Sequence, residues 1–257
     1  VKLSELRFGD YIKAMFVGRT GSWKTGAIGS FPEPIKILNF DGMDRIQTIK
    51  ALYPSKDIDF DNLSNRNVPE IEDKLEQIIK NPKKFATYGF DSYSFFMQHA
   101  IKYGMKNSTT EMIGQMKVAG LKQFNVEAAA ANNLYDIIQQ ITDCHFLMTA
   151  HIIETSVKKP DGSDAVTKKL ATAGKAPSVL MPGVFSEVWS FHLEPGQPIG
   201  KPPTAYIITQ SGAEEGISTL EKSALGAAGA LPRRLDYGTD LYAAIKKQLA
   251  AKGYSLK

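Results

Sequence analysis

The chain reads as an α/β protein, a mainly parallel sheet flanked by helices with an antiparallel extension toward its C-terminus. Three observations carry that expectation. Apolar runs of strand length recur at 11–17, 35–40, 85–90 and 145–150, each closing on a glycine, an acidic residue or a histidine. Segments with helical character fall between them, as the crossovers of a parallel sheet require. Two later runs, 187–193 and 204–210, are separated only by the turn region containing Gly196 and 198–203, which predicts an antiparallel pair. With 257 residues, 43% of them hydrophobic, the chain is long enough for one large domain spanning 1–257.

Each element has its local reason. Residues 11–17 form the first strand, and the loop 18–25 feeds a short helix over 24–30. That helix is ended by Gly29 and by Pro32 and Pro34, which cannot continue it. A second strand follows at 35–40. Over 69–80, Ile71, Leu75, Ile78 and Ile79 share a face while Glu70, Glu72, Asp73 and Lys74 lie elsewhere, the pattern of an amphipathic surface helix. The third strand is 85–90, and Tyr93, Phe95 and Phe96 read as the core face of a helix behind it. A helix over 123–142, with Leu134, Ile137, Ile138 and Ile141 inward, delivers the chain to the strand 145–150. Residues 152–178 carry Lys158, Lys159, Lys168, Lys169 and Lys175 and read as a mobile basic loop. Beyond the antiparallel pair, 211–231 is Gly/Ala-rich and reads as irregular. Thr239 is the expected cap of a last helix over 240–251.

Composition excludes several classes. One cysteine, Cys144, rules out an internal disulfide framework, and four dispersed histidines with it give no zinc pattern. No apolar run of about 18 residues is present to span a bilayer as a helix. Residues 1–5 lack a basic stretch leading into an apolar one, so no secretory leader is expected there, and the chain reads as soluble and cytoplasmic. A net charge of +4 permits contact with nucleic acid without arguing for it.

The chemistry concentrates at strand ends. Gly18-Arg19-Thr20-Gly21-Ser22-Trp23-Lys24-Thr25 departs at one position from the phosphate-binding pattern of Gly, four residues, Gly-Lys-Ser/Thr. In that pattern backbone N–H groups cradle phosphates, the lysine reaches the terminal phosphates, and the hydroxyl holds Mg²⁺. Trp23 stands where the second glycine belongs. Two conformations are open to it: a helical one with the indole turned away from the phosphates, or the left-handed one that glycine adopts freely. Asp41 follows the second strand, Asp91 the third and His151 the fourth, so all three converge with the loop on one sheet edge. Asp91 is a candidate Mg²⁺ carboxylate, with a helix cap as its bland alternative. For His151 the alternative is a histidine satisfied by backbone, and for the five lysines a solvated surface.

With these pieces in order, the chain resembles phage-type RecA-like P-loop ATPases, the AAA-type phage nucleotide-binding proteins that include the Sak-group single-strand annealing recombinases. The resemblance rests on 17–25 with 31–42, on 88–92 and on 146–151, and more loosely on 206–209 through Leu231-Pro232 to the last helix. It implies a RecA-like core, ATP with Mg²⁺, assembly into rings or filaments, and work on single-stranded DNA in recombination, annealing or replication, in the bacterial host of a phage and beside its single-strand binding protein. Residue by residue it makes Lys24 the phosphate lysine, Thr25 the Mg²⁺ hydroxyl and Asp91 the Mg²⁺-associated carboxylate. It also makes Asp41 the residue that polarises water, where the family generally has Glu, and His151 a sensor of the terminal phosphate. The lysines at 158, 159, 168, 169 and 175 would contact DNA. Lys222-Ser223-Ala224 matches the lysine of a trans-acting Lys-x-Arg pair and lacks its arginine. A DNA-translocating helicase or packaging motor, and a nucleotide-binding scaffold that does not hydrolyse, are the alternatives.

Overall fold

The first strand is buried on both sides, and the rest of the sheet is laid out from it. The structure, a computed structural model, describes residues 10–42, 46–64, 66–158, 162, 164–195, 203–210 and 220–256. In chain order the elements are β1 (Lys13–Gly18), α1 (Lys24–Ile28), β2 (Ile35–Asn39), α2 (Ile46–Leu52), β3 (Ile58–Asn62), α3 (Val68–Lys80), β4 (Thr87–Asp91), α4 (Tyr93–Asn107), β5 (Glu111–Ile113) and β6 (Met116–Val118). They continue with α5 (Leu121–Gln140), β7 (His145–Lys158), β8 (Asp164–Leu170), α6 (Lys175–Val184), β9 (Glu187–Glu194), β10 (Thr204–Ile208), β11 (Lys222–Ser223), α7 (Ala224–Ala227), β12 (Arg234–Asp236) and α8 (Leu241–Ala251).

The main sheet runs β12-β10-β9-β1-β7-β4-β2-β3. From β9 to β3 every pairing is parallel, and β10, β11 and β12 join antiparallel. This is the α/β arrangement the sequence predicts, antiparallel extension included. Alternation along β1 explains its central place: Met15 and Val17 enter one apolar cluster and Ala14 and Phe16 the other. The first cluster lies under α3, α4, α5 and α6. The second holds α1 and α8, and there Phe16 stacks on Trp189 with centroids 5.7 Å apart and the rings 17° from parallel.

Three expectations need correction. The 152–178 segment is not a loop: β7 continues through Lys158 and pairs antiparallel with β8, from Ile152 opposite Leu170 to Lys158 opposite Asp164, and α6 begins at Lys175. Residues 211–219 lie outside the described residues, whereas 220–231 is ordered into β11 and α7. There Glu187, buried at the start of β9, accepts hydrogen bonds from Trp189 Nε1 at 2.9 Å, Leu225 N at 3.0 Å and the Ser223 hydroxyl. The cap of α8 is Asp240, which accepts from Ala243 N at 2.8 Å, and Thr239 does not serve. The sequence reading also passed over α2, β3 and the separate β5–β6 hairpin.

A second buried carboxylate, Glu127 of α5, accepts from Ala173 N at 3.1 Å and Gly174 N at 2.7 Å and so fixes the chain where it leaves β8. Burial pushes the carboxyl groups of both Glu127 and Glu187 above their ordinary range, and the donors they gather oppose that shift. Three donors orphaned at once make Glu187→Ala strongly destabilising. We expect a loss of about 2–4 kcal/mol in urea unfolding. A change near zero would show that this carboxylate does not hold 222–228 in place.

Candidate functional site

The loop after β1 is shaped by close approach. A Cβ at Gly18 would lie 2.7 Å from Ser22 Oγ and 2.9 Å from the Phe191 carbonyl, so only glycine fits where strand turns into loop. Gly21 has φ 81°. Trp23, immediately before α1, has φ 65° and ψ 17°, the left-handed conformation. The glycine of the usual pattern therefore has its backbone geometry here without its residue. The left-handed conformation costs a non-glycine residue about 1 kcal/mol. The indole is half-buried and packs against the second apolar cluster, which offsets part of that cost.

Lys24 is buried inside the loop it follows. Its Nζ donates to the carbonyls of Gly18 at 2.9 Å and Arg19 at 2.7 Å, and to Ser22 Oγ at 3.2 Å. Loop oxygens thus solvate a charge that would otherwise be costly to bury. Next to it, Thr25 Oγ1 donates to Asp91 Oδ2 at 2.8 Å, while the Thr149 hydroxyl of β7 donates to Asp91 Oδ1. Asp91 closes β4, in register with Asn39 of β2. Its carboxyl is pushed up by burial and further by the neighbouring Asp41, against the opposing effect of the Thr149 and Thr25 hydroxyls and of Lys24.

Asp41 stands two residues beyond β2, half-buried, and accepts from Gly42 N at 3.0 Å. His151 pairs in register with Gly18 across β7 and β1. Its Nδ1 lies 3.5 Å from Thr20 Oγ1, its backbone N–H donates to Ser94 Oγ at 3.0 Å, and its ring meets Phe95 edge-on. One cavity of about 90 Å³ is lined by residues 21–26 together with Asp41, Thr48, Asp91 and His151. A wider one, about 450 Å³, opens on the other flank of the loop, between Arg19–Ser22, Ile152, Glu154 and Phe191–Leu193. Arg19 reaches across it to an ion pair with Glu154, the third residue of the part of β7 that pairs with β8.

The donor set beside Asp91 suits Mg²⁺ and not a metal caged by protein. Among the described residues no group of three or more His, Cys, Asp or Glu side chains is gathered tightly enough to hold an ion alone. Magnesium characteristically takes one or two protein oxygens and completes its shell with phosphate and water. The Thr25 hydroxyl and the Asp91 carboxylate are such a pair. Flanking them, Asn39 and Ser92 are buried polar side chains with no hydrogen-bond partner among the described residues, as expected beside a site that also takes water.

The basic residues divide. Lys158, Lys169 and Lys175 are exposed, Lys158 and Lys169 on the β7–β8 hairpin and Lys175 at the first turn of α6. Lys168 is committed to the buried Glu221 at 3.1 Å. Lys159 lies outside the described residues. Lys222 sits on β11 opposite Val188, outside the cavity, with its Nζ 3.4 Å from the Gly183 carbonyl. Four site residues had gone unnoticed: Thr48, Ser94, Thr149 and Glu154. Thr149 carried a signal, since it stands two residues before His151 on one strand and so shares its side of the sheet.

No family model and no curated protein matches the sequence. Among solved structures, one titled "The Structure Of A DnaB-Like Replicative Helicase And Its Interactions With Primase" aligns at 8% identity with a TM-score of 0.42, over 78% of this chain and 52% of that one. The chain therefore spans about half the length of that structure, and the likeness concerns the fold alone.

Two expected outcomes follow from the site. Trp23→Gly relieves the left-handed strain, so affinity for a nucleoside triphosphate, titrated by calorimetry, should hold or rise; a clear loss would make the indole a ligand contact. Because the Asp91 carboxyl is raised in the folded chain, folding stability falls as pH climbs from the ordinary carboxylate range through the raised value. Asp91→Asn removes that penalty, so its Tm relative to wild type should improve with rising pH. A difference in Tm that does not change with pH would contradict the burial assigned to Asp91.

Proposed function

We propose that the chain is a RecA-like P-loop ATPase that binds Mg·ATP at residues 18–25 and couples nucleotide turnover to single-stranded DNA. The observation that carries this reading is the grouping of the Lys24 ammonium, held over a glycine-bearing loop, with the Thr25–Asp91 hydroxyl–carboxylate pair and a second carboxylate, Asp41, in one cavity.

In this reading Lys24 exchanges its bonds to the Gly18 and Arg19 carbonyls for oxygens of the terminal phosphates, a charge-assisted exchange that a neutral side chain cannot make. Thr25 and Asp91 would hold Mg²⁺, which when bound neutralises charge on the phosphate oxygens. Asp41 orients the attacking water and accepts its proton as the water oxygen bonds to the terminal phosphorus and the bond to the bridging oxygen of the departing diphosphate breaks. His151, against Thr20, faces the same cavity from the strand that continues into the basic hairpin. Arg19–Glu154 links the loop to that hairpin a second time. Lys158, Lys169 and Lys175 are the cations left exposed for a DNA backbone. The role is recombination or annealing of phage type, with a translocating helicase or packaging motor as the neighbouring possibility. Rings or filaments of the chain, a phage single-strand binding protein as partner, and Lys222 as a residue acting on a neighbouring copy belong to the same proposal.

A scaffold that binds nucleotide without hydrolysing it is favoured by three departures, the strained Trp23, the shorter Asp41 where the family generally has Glu, and Ala224 where the Lys-x-Arg pair has its arginine. Measuring ATP hydrolysis with and without single-stranded DNA separates the readings, with Lys24→Ala as the blank. Turnover that rises with DNA and vanishes in Lys24→Ala is the expected result. Nucleotide binding with no turnover in either condition selects the scaffold, and undiminished affinity in Lys24→Ala would refute the loop assignment itself.

A further inference from the structure

The described surface exposes six large apolar side chains, and four of them, Met112, Ile113, Met116 and Leu121, fall within ten residues of sequence. Three belong to the β5–β6 hairpin, a two-stranded sheet of its own, separate from the main sheet. Such a hairpin is marginal alone in water and keeps an apolar surface for some purpose beyond its own folding. Its register sorts the side chains. Ile113 lies opposite Met116 and Glu111 opposite Val118, all on one face by strand alternation, while Met112 and Lys117 occupy the other. One face is thus apolar with a single carboxylate and no cation. Ile113 is 63% and Met116 69% exposed.

A complementary surface exists on the same chain. Between β8 and α6 lies a cavity of about 270 Å³ floored by Leu220, Pro182 and the exposed Val179. Its charged lining is cationic: Lys169 and Lys175 are exposed there, and Lys168 is already neutralised by Glu221. An apolar face carrying one carboxylate matches a largely apolar cavity with two exposed lysines, Lys169 and Lys175, in its lining.

We propose that the β5–β6 hairpin docks into the β8–α6 cavity of a second copy of this chain, seating Ile113 and Met116 in the cavity with Glu111 against Lys175. Knob and cavity are different surfaces, so the contact is head-to-tail and repeats from copy to copy, closing into a ring or running on as a filament. It uses neither the phosphate loop nor the carboxylates and stands whether or not the chain hydrolyses ATP. It does take Lys175 out of the set of cations proposed for DNA, so that in the assembly Lys158 and Lys169 carry that role.

The test is sedimentation velocity on the full chain over a concentration series, with and without Mg·ATP. Three samples are compared with wild type: a knob variant, Ile113→Lys with Met116→Lys; a cavity variant, Val179→Glu; and their equimolar mixture. All substituted positions are exposed, and circular dichroism checks that both variants fold. Wild type should self-associate, and each variant alone should do so at least about tenfold more weakly. The mixture should form a one-to-one dimer and stop there, because it retains a single intact knob facing a single intact cavity. Wild type that stays monomeric throughout overturns the proposal. So does a cavity variant that associates as wild type does, which would place two hairpins against each other. Loss of binding to a labelled oligothymidylate by the knob variant, with assembly intact, would assign the hairpin face to nucleic acid instead.

Discussion

The Asp91 carboxylate is the joint on which the functional edge of the sheet depends. One of its oxygens is held by Thr25, on the helix that follows the loop, and the other by Thr149, on the strand next to it in the sheet. The residue itself ends β4. Three segments far apart in sequence are therefore tied through one buried acid, and the tie is made of hydroxyl donors, which oppose the upward push of burial on its carboxyl. A neutral side chain of the same size would pack at least as well. Keeping a carboxyl here against the penalty of burial and against Asp41 lowers stability as pH rises through its raised value.

The loop shows a related compromise. Its backbone takes the left-handed turn before Lys24 that glycine makes easily, although tryptophan occupies the position. A cost of about 1 kcal/mol in backbone strain is of the same size as the gain from partly burying an indole against an apolar cluster, so the two nearly offset. What remains is a loop whose shape is enforced from outside, by the packing of Trp23 and by the contacts of Gly18 with Ser22 and the Phe191 carbonyl. Lys24 completes it from within, since its ammonium binds two of the loop's own carbonyls.

Much of this was legible in the sequence, and the misses have physical reasons. The strands carrying the loop, Asp41, Asp91 and His151 are buried apolar runs with abrupt polar ends, the clearest pattern a chain can show. Strand β3 was missed because Asp59 and Asp61 make it look like a loop; on an edge strand those acids instead pair with Lys36 of β2 at 2.7 and 2.9 Å. The β7–β8 hairpin was hidden by its lysines, although β-branched residues at 155, 157, 166 and 167 flank Pro160-Asp161-Gly162, a turn signal with a known mechanism. Glu127 and Glu187 were invisible for another reason. Single-residue statistics put glutamate at the surface, and only tertiary structure brings Ala173 and Gly174, or Ser223 and Leu225, to a buried carboxylate. Nor does residue identity reveal the left-handed Trp23, since tryptophan is among the residues that avoid that conformation.

The hairpin is held unevenly, and the magnitudes say where it can move. At its root, β7 is in register with β1 up to His151, and Glu127 fixes the return strand by two hydrogen bonds to a buried carboxylate, each stronger than a neutral one. Farther out, the link to the loop after β1 is the Arg19–Glu154 pair, whose arginine is 75% exposed. Such a pair contributes about 0–1 kcal/mol and breaks readily. Lys24 also holds the Arg19 carbonyl, so the loop around Lys24 and the weaker of the two attachments share one residue. A hairpin rigid at its base and lightly tethered above can tilt without unfolding. That mechanical asymmetry, and not the number of lysines on the hairpin, is what would let events at the loop alter how the basic surface is presented.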